Sequence, residues 1–441
     1  MNGGRILIVL LFVVGLVGTL VSYGSLYPPL LYTSIALTAI SWLWTRFSLR
    51  RVSVNRKARS LRGSVGDVFD EHFEVINAGR LMVLWLEILN QSSLPGASGS
   101  RILTSIGGWQ KRSYIARTWL TRRGGFPLGP TRVTSGDPFG LFQAHKEFPA
   151  TDSLVVLPMI YELDAFPLPP GLLPGGKVIR RKALDVTPHA AGVREYVPGD
   201  PLKRIHWPTS ARRGQWMVKE FEQDPQTEVW LFLDAQRHVH SEQETQPAPA
   251  GPAVDITWLF GRKPVFTLPP SSFEYAVSIA ASLAHYFIQQ RCAVGFISAG
   301  QVTTVLPSER SLRQEDKILE TLAFLEPKGD LPLASVMAAQ SKQLPQGSSV
   351  VLITPSVRSE LLPAIEDLQR RNLRPIVVLL MAESFGGPKG SEELAALLLE
   401  RDIPTCKIYR GAALSQALTA FSSQFSFQEV SSIWLPQQFT L

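Results

Sequence analysis

Two uncharged apolar runs open the chain, at residues 6–22 and 25–45, with only the stretch YGS between them. Each run is near the roughly 20 residues that a helix needs to cross a bilayer. They therefore predict a hairpin of two transmembrane helices over residues 1–50. A signal peptide is the alternative interpretation of the first run. That run lacks a small-residue cleavage site followed by polar sequence, and a second apolar run follows at once.

Basic residues after the second run indicate the orientation of this hairpin. Arg46, Arg50 and Arg51 begin a cluster of basic residues, whereas the connecting turn carries no charge. The positive-inside rule then places both ends of the hairpin in the cytoplasm. We expect a protein of the inner (plasma) membrane, with two helices in the bilayer and its soluble domains in the cytoplasm. No charged residue lies within either run, which argues against a transporter or proton channel built from the hairpin alone.

Residues 51–160 alternate apolar and polar positions with the two-residue period of β strands. Glycine- and proline-rich turns separate the alternating stretches at short intervals. The pattern predicts a small antiparallel β-sandwich-like unit. Within it, the stretch TSGDPFGLF predicts a tight turn, which Asp137 and Pro138 initiate and in which Gly140 supplies an unusual backbone angle.

Residues 228–441 show a different pattern, in which continuous apolar strands alternate with amphipathic helices. Such strands are buried on both faces, so the pattern predicts a doubly wound α/β domain with a parallel sheet. Residues 161–227 form a connector rich in proline, glycine and arginine. The stretch at about 236–270 is too long for an ordinary loop between strand and helix, and we expect it to be a flexible insert.

Composition adds two constraints. Charged residues make up 18% of the 441 residues, and the net charge is +7. Much of this charge lies next to the apolar runs, so it is weak support for nucleic-acid binding. The two cysteines, Cys292 and Cys406, lie in apolar runs and are expected to be inert core thiols in a reducing compartment.

Asp234 is the candidate metal ligand, because it ends the first strand of the predicted α/β domain. This domain resembles the von Willebrand factor type A family, whose metal site begins Asp-x-Ser-x-Ser at this position. Here Asp234, Gln236 and His238 stand in those places, so both hydroxyls are missing. The family also places an Asp after a Thr at the end of a later strand, where this chain has Thr354 followed by Pro355. The resemblance implies a degenerate site for a divalent cation such as Mg²⁺ at Asp234 and Thr354, and otherwise no cofactor.

No known catalytic motif is present in the sequence. It contains no Walker-type phosphate loop, no Gly-x-Ser-x-Gly elbow and no Cys-x-x-Cys pair. The histidines are scattered and lack paired spacing. We therefore expect no catalytic residues and no enzymatic activity.

The segment REYVPGDPLKRIHWPTSARRG is the most specific motif in the chain. Its spacing resembles the signature of domain-of-unknown-function family fifty-eight, a large prokaryotic family. The signature residues are Arg194, Tyr196, Gly199, Asp200, Arg204, Trp207 and Arg212. Members often occur beside a MoxR-type AAA+ ATPase and other membrane proteins, and their biochemical activity is not established. The resemblance implies these proteins as partners. The apolar runs add a lipid bilayer, and the modest net charge leads us to expect no nucleic acid.

Three hypotheses describe the signature segment. It could brace the two soluble parts, with Asp200 paired to Arg204 or Arg194. It could instead be a docking surface, since Arg and Trp are frequent at binding hot spots. A catalytic or anion-binding site is the third hypothesis. We also expect Trp207 to lie in a strand.

The leading functional hypothesis is a membrane-anchored adaptor or scaffold that acts with a MoxR-type ATPase in protein assembly or cell-envelope processes. The first alternative is a metal-dependent enzyme or adhesion module centred on Asp234. The second is a binder of anionic lipid or nucleic acid that uses the basic stretch after the apolar runs.

Overall fold

The computed structural model describes residues 3–21, 24–167, 190–197, 202, 205–221, 228–242 and 266–433. The protein divides into two compact units. Unit 1 consists of Met1–Met159, Pro247–Thr267 and Leu322–Phe324. Unit 2 consists of Ile160–Gln246, Leu268–Thr321 and Leu325–Leu441. Of the predicted insert at about 236–270, residues 243–265 lie outside the described residues.

Two helices, α1 (Gly3–Val21) and α2 (Tyr27–Ser48), begin unit 1. Within the described part of the chain, α1 is the helix that is long and apolar enough to cross a membrane. Helix α2 is longer, but its mean hydropathy is lower because it contains many Ser and Thr residues together with Arg46. The second membrane crossing therefore stays a prediction.

Small residues let α1 and α2 approach each other closely. A Cβ atom added at Gly15 would lie 2.9 Å from the backbone nitrogen of Leu31, and one added at Gly18 would collide with the ring of Tyr27. Glycines at such contacts are typical of packed helices in membranes.

The remainder of unit 1 is β structure arranged in three sheets, with strand orders β1-β3-β6, β5-β4-β8-β9 and β2-β10-β7. The strands are β1 (Val52–Ala58), β2 (Arg62–Ser64), β3 (Val68–Asn77), β4 (Val83–Asn90), β5 (Arg101–Ile106), β6 (Lys111–Trp119), β7 (Gly124–Pro127), β8 (Thr131–Gly136), β9 (Gln143–Phe148) and β10 (Ser153–Leu157). The sequence pattern predicts an antiparallel unit. This expectation is wrong for one pair of strands, because β2 and β10 are parallel. The short β2 is followed by a tight turn and lies along the edge of β10.

The core of unit 1 is formed by the inward-facing residues of the first two sheets. Phe73 of β3 and Leu86 of β4 are completely buried, and Phe73 stacks on Tyr114 of β6 with ring centroids 5.1 Å apart. Beside them, the guanidinium of Arg56 lies 2.7 Å from Glu71 and also donates to Asn90 and Thr131. A largely buried cation with several acceptors of this kind joins strands of two sheets and helps to fix their register.

The turn after β8 has the geometry that its sequence predicts. Asp137 is buried, and its carboxylate accepts hydrogen bonds from the backbone nitrogens of Phe139 at 2.9 Å and Phe142 at 2.6 Å. Gly140 has φ +69°, the left-handed conformation that favours glycine.

Removing this carboxylate should loosen the turn. We expect Asp137→Ala to lower the free energy of unfolding of unit 1 by about 1 to 2 kcal/mol, because two backbone N–H groups lose their acceptor. Hydrogen–deuterium exchange of a peptide covering residues 137–142 measures the loosening. Asp137→Asn is the matched control, since its amide oxygen still accepts one of the two hydrogen bonds. Equal exchange in the alanine variant and the wild type would show that the carboxylate does not hold the turn.

Unit 2 mixes helices and strands. Its elements are β11 (Ala190–Glu195), α3 (Trp207–Arg213), β12 (Met217–Phe221), β13 (Glu228–Leu233), α4 (Ser272–Gln289), β14 (Ala293–Ala299), β15 (Thr303–Glu309), α5 (Leu312–Phe324), α6 (Leu333–Gln340), β16 (Ser349–Thr354), α7 (Leu361–Arg370), β17 (Arg374–Leu380), α8 (Ser391–Glu400), β18 (Thr405–Ile408) and α9 (Leu414–Ile433). Strands β11 and β12 form a two-stranded antiparallel sheet.

The main sheet of unit 2 has six strands in the order β15-β14-β13-β16-β17-β18. In this order, β14, β13, β16, β17 and β18 are each parallel to their neighbours. The edge strand β15 is antiparallel to β14. Alternate residues such as Phe232 and Leu352 pack with residues of α6, α7 and α8 in one apolar core. The residues between them, such as Leu231 and Ile353, are also buried, and α4 contacts β13, β14 and β16.

Candidate functional site

The signature segment forms a strand–helix–strand element. Strand β11 pairs with β12 so that Arg194 lies opposite Val218, and α3 lies in the connection between them. The expectation of a strand at Trp207 is wrong, because Trp207 is the first residue of α3. Pro208 occupies the first turn of this helix, where its missing N–H and fixed φ are tolerated. Gly214, with φ +68°, ends the helix.

A serine attaches α3 to β12. The hydroxyl of Ser210 donates to the carbonyl of His206 at 3.0 Å and accepts from the backbone nitrogen of Met217 at 2.9 Å. The backbone nitrogen of His206 also donates to the carbonyl of Met217, at 2.8 Å. Met217 and Ile205 are buried beneath the helix. The element is therefore held by its own backbone and by a small apolar core.

This element exposes both aromatic rings and cations. Trp207 is 64% exposed and Trp216 is 56% exposed, and Arg194 and Arg212 are exposed nearby in the sequence. Tyr196 meets Trp216 edge to face, with ring centroids 5.4 Å apart. We call the exposed side chains of Arg194, Trp207, Arg212 and Trp216, together with the half-buried Tyr196, the signature surface. Gly199, Asp200 and Arg204 lie outside the described residues, so the pairing of Asp200 with Arg204 or Arg194 stays a prediction.

Asp234 and Thr354 lie together at the carboxyl ends of the adjacent strands β13 and β16. The hydroxyl of Thr354 donates to one carboxylate oxygen of Asp234 at 2.6 Å, and the backbone nitrogen of Gln236 donates to the other at 3.0 Å. Both residues are buried. The structure brings these two residues together, because neighbouring parallel strands end at the same edge of the sheet.

His240 and Ser272 complete the polar cluster around Asp234. One ring nitrogen of His240 lies 2.9 Å from the carbonyl oxygen of Asp234, and the other lies 3.2 Å from the hydroxyl of Ser272. That hydroxyl accepts from the backbone nitrogen of Ser241 at 3.0 Å. Sequence reasoning missed this pair, since residues 240 and 272 are far apart in sequence. The one available signal was the position of Ser272 in the first turn of a predicted helix.

Burial shifts the acid–base behaviour of both titratable groups. It raises the pKa of Asp234 from 3.8 to about 6, although the hydrogen bonds from Thr354 and Gln236 and the nearby charge of Arg358 act against the shift. Burial also lowers the pKa of His240 from 6.5 to about 4. Near neutral pH, an ionised Asp234 therefore lies close to a neutral His240.

The cluster does not provide the ligands that a hard divalent cation needs. Mg²⁺ requires six oxygen ligands in octahedral geometry. Here Asp234 is the one carboxylate, both of its oxygens already accept hydrogen bonds, and Gln236 contributes its backbone N–H. His238, at the place of the second missing hydroxyl, is exposed. Across the described residues, no group of three or more His, Cys, Asp or Glu side chains could hold a metal ion. The donors therefore do not fit the cation that the type A resemblance implies.

The two cysteines are buried and free. Burial raises the pKa of the Cys292 thiol to about 11 and that of Cys406 to about 12. Thiolates are the reactive form of cysteine, so neither side chain is set up as a nucleophile.

Comparison with known proteins gives a family match that covers the signature segment. Residues 192–246 match the family described as "Protein of unknown function DUF58". The signature segment is DUF58-like. The matching residues extend past the signature surface through β13 and include Asp234 and His240.

One curated relative is an uncharacterized protein, YeaD, of Bacillus subtilis (strain 168). It is 27% identical over 245 residues, which are 54% of this chain and 51% of the relative. The chain thus spans about half the length of the curated relative that it matches.

Solved structures give only distant similarity. The CARDB domain of a Pyrococcus furiosus protein has 12% identity, a TM-score of 0.17 and coverage of 24% of this chain and 91% of that chain. A cycloisomaltooligosaccharide glucanotransferase from Paenibacillus sp. has 11% identity, a TM-score of 0.15 and coverage of 74% of this chain and 45% of that chain.

Proposed function

We propose that this protein is a membrane-anchored adaptor or scaffold of the cytoplasmic face, and that it docks a partner protein through the signature surface. The observation that carries the proposal is that Trp207, Trp216, Arg194 and Arg212 are all exposed on one small element. The partner that the family resemblance suggests is a MoxR-type AAA+ ATPase. Its assembly or cell-envelope clients are further candidates.

The composition of the signature surface favours binding to protein. Trp, Tyr and Arg are the side chains that most often carry the energy of protein interfaces. In a monomeric protein, a large aromatic ring that is more than half exposed leaves apolar area in contact with water and contributes little to the fold. The signature surface has two such rings, and its helix is fixed in place by Ser210. A preorganised surface loses little entropy when a partner binds.

The proposed architecture combines three parts. Helices α1 and α2 form a hairpin that crosses the inner membrane twice, with the basic residues after α2 in the cytoplasm. The β strands of unit 1 form a sandwich-like domain. The six-stranded sheet of unit 2 is a doubly wound, von Willebrand type A-like domain. The parallel order β14-β13-β16-β17-β18 and the burial of both alternating sets of strand residues support this last assignment.

The metal-dependent alternative receives less support. An adhesion or catalytic metal site needs open coordination positions and several oxygen ligands. Asp234 is 2% exposed and its carboxylate is engaged by Thr354 and by the backbone of Gln236. We propose instead that Asp234 holds the carboxyl ends of β13 and β16 together.

Binding measurements with substituted signature residues test the adaptor proposal. Full-length protein in lipid nanodiscs would be titrated with a purified MoxR-type ATPase, with either Trp216→Ala or Arg212→Ala in place. Loss of a central hot-spot side chain should weaken binding by about 30-fold. Circular dichroism and exchange of the β12 amides would show that each variant remains folded.

Two other exposed positions of unit 2 supply the controls. Val302→Ala removes an exposed apolar side chain and Arg313→Ala removes an exposed cation, both outside the signature surface. We expect both controls to bind like the wild type. Wild-type affinity in all four variants would refute docking through the signature surface.

A further inference from the structure

One end of unit 1 gathers three chain connections around the junction of α2 and β1. Strand β1 begins at Val52, which lies opposite Asn77, and the neighbouring Ile76 lies opposite Lys111. The connections at residues 78–82 and 107–110 therefore lie beside the end of α2. Backbone hydrogen bonds link them, because Ala78 donates to Arg51 at 3.0 Å and Trp109 donates to Gly79 at 3.1 Å.

The third connection, at residues 137–142, lies at the same end and contacts the start of α1. The guanidinium of Arg5 donates to the carbonyl oxygen of Leu141 at 2.6 Å. A Cβ atom added at Gly4 would lie 3.1 Å from the carbonyl oxygen of Phe139. Helix α2 also contacts β8 and β9, the strands that this connection joins. The start of α1 and the end of α2 thus meet the same end of unit 1.

Each connection carries an exposed apolar side chain at its tip. Trp109 is 67% exposed and Phe139 is 55% exposed, and Leu81 is exposed beside Arg80. Trp109 has φ +62°, a conformation that residues other than glycine, Asn and Asp rarely adopt. Its side chain stays mostly exposed, so burial within the described chain does little to offset the strain of this conformation. Such an outlier at an exposed aromatic residue points to a role outside the fold.

The exposed charges in these connections and at the end of α2 are all positive. Arg46, Arg50, Arg51 and Arg80 are exposed. Residues 46–51, 78–82, 107–110 and 137–142 contain a single acidic residue, Asp137, which is buried and engaged in the turn. Cations next to exposed aromatic and aliphatic side chains match the interface of a membrane that contains anionic lipid.

We propose that the connections at residues 78–82, 107–110 and 137–142 form a bilayer-contacting surface, which seats Trp109, Phe139 and Leu81 among the headgroups while the surrounding arginines bind anionic lipid. The inference rests on the proposed anchoring of the chain by α1. The occupant is the bilayer, because this surface is continuous with the start of the helix that is apolar enough to cross it. Unit 1 is then fixed against the membrane by its loops as well as by its helices.

Depth-dependent fluorescence quenching tests this surface in the full-length protein. A fluorophore sensitive to its surroundings would be attached to single cysteines in a Cys292→Ala, Cys406→Ala background. The sites are Trp109→Cys and Phe139→Cys in the connections and Leu10→Cys in α1. The matched control is Ile115→Cys, which is similarly exposed but lies within β6. The protein would be reconstituted in phosphatidylcholine and phosphatidylglycerol vesicles whose acyl chains carry a shallow nitroxide.

We expect the nitroxide to reduce emission at residues 109, 139 and 10 by roughly half and to leave residue 115 unchanged, because interfacial side chains lie within ~5–10 Å of the acyl boundary. Quenching at residue 10 with residues 109 and 139 as bright as residue 115 would overturn the proposed surface and leave the anchor intact. Quenching at residues 109 and 139 without quenching at residue 10 would support the surface and overturn the anchor. Equal loop quenching in vesicles of phosphatidylcholine alone would overturn the contribution of anionic lipid.

Discussion

Between about pH 4 and about pH 6, the variants Asp234→Asn and His240→Gln are expected to change stability with pH in opposite directions. The reason is that burial raises the pKa of Asp234 and lowers the pKa of His240. Asp234 holds its proton to a higher pH in the folded protein than in the unfolded chain. His240 loses its proton at a lower pH in the folded protein.

The sign for Asp234 follows from its raised pKa. Because the pKa increases from 3.8 to about 6, folding is favoured most when the carboxyl is protonated, and that contribution is complete below pH 3.8. It is lost as the pH rises to about 6, since the unfolded chain ionises first. Asp234 is 2% exposed, so little solvent screening applies, and the loss over this window is about 3 kcal/mol.

His240 acts in the reverse direction. Its pKa decreases from 6.5 to about 4, so the unfolded chain takes up a proton below pH 6.5 that the folded protein does not bind. Stability therefore decreases as the pH falls from 6.5 to about 4. The side chain is half-buried, and after allowance for screening by solvent the change is about 2 kcal/mol. In the wild type the two contributions largely cancel.

The single variants should separate these contributions. Asp234→Asn leaves only the histidine, so its stability should rise with pH, whereas His240→Gln leaves only the carboxyl, so its stability should fall. Hydrogen–deuterium exchange of peptides from β13 and β16, corrected for the intrinsic effect of pH, measures the opening free energy in the full chain. The stability of the double variant should depend on pH as little as that of the wild type. Slopes of the same sign in the two single variants would contradict this account.

The sequence predicted best the strands that are buried on one or both faces, because burial gives their residues a regular apolar pattern. Strands β13, β16 and β17 are buried on both faces and appear in the sequence as continuous apolar runs, and β3 alternates because one face is in a core. Strand β15 was missed, because it is an edge strand with no fully buried residue, so neither a continuous apolar run nor a regular apolar–polar alternation marks it in the sequence. Helix α3 was missed because seven residues that include a proline give no helical period.

Some contacts in the candidate sites could likewise be predicted from the sequence, and others could not. The proximity of Asp234 and Thr354 could be predicted, because both end buried parallel strands. The contact of His240 with Ser272 could not, since it depends on how the chain after β13 folds back onto the start of α4. The sequence also could not predict that Trp109 and Phe139 lie at the same end of unit 1. Strand register sets which turns lie at the same end of a sheet.

Gly329→Ala is expected to destabilise unit 2 by about 3 to 5 kcal/mol, because the added methyl group meets backbone rather than flexible side chains. A Cβ atom at this position would collide with the carbonyl oxygen of Ala299 and lie 3.0 Å from that of Ala235. Gly329 also donates to Ala235 at 2.9 Å and accepts from Arg237 at 2.8 Å. Relief of the collision must therefore stretch the two hydrogen bonds that hold the chain directly after Asp234.

This displacement should reach the carboxylate of Asp234, since Gln236, which donates to it, lies between the two bonded residues. Urea unfolding of the full chain and exchange of peptides covering residues 234–242 measure the two effects. Gly347→Ala is the matched control. It has φ +88° and open space around the added methyl group, so it should cost only about 1 to 2 kcal/mol through backbone conformation. If Gly329→Ala were no more destabilising than Gly347→Ala, the close approach of the backbones at Gly329 would not be what holds the Asp234 segment in place.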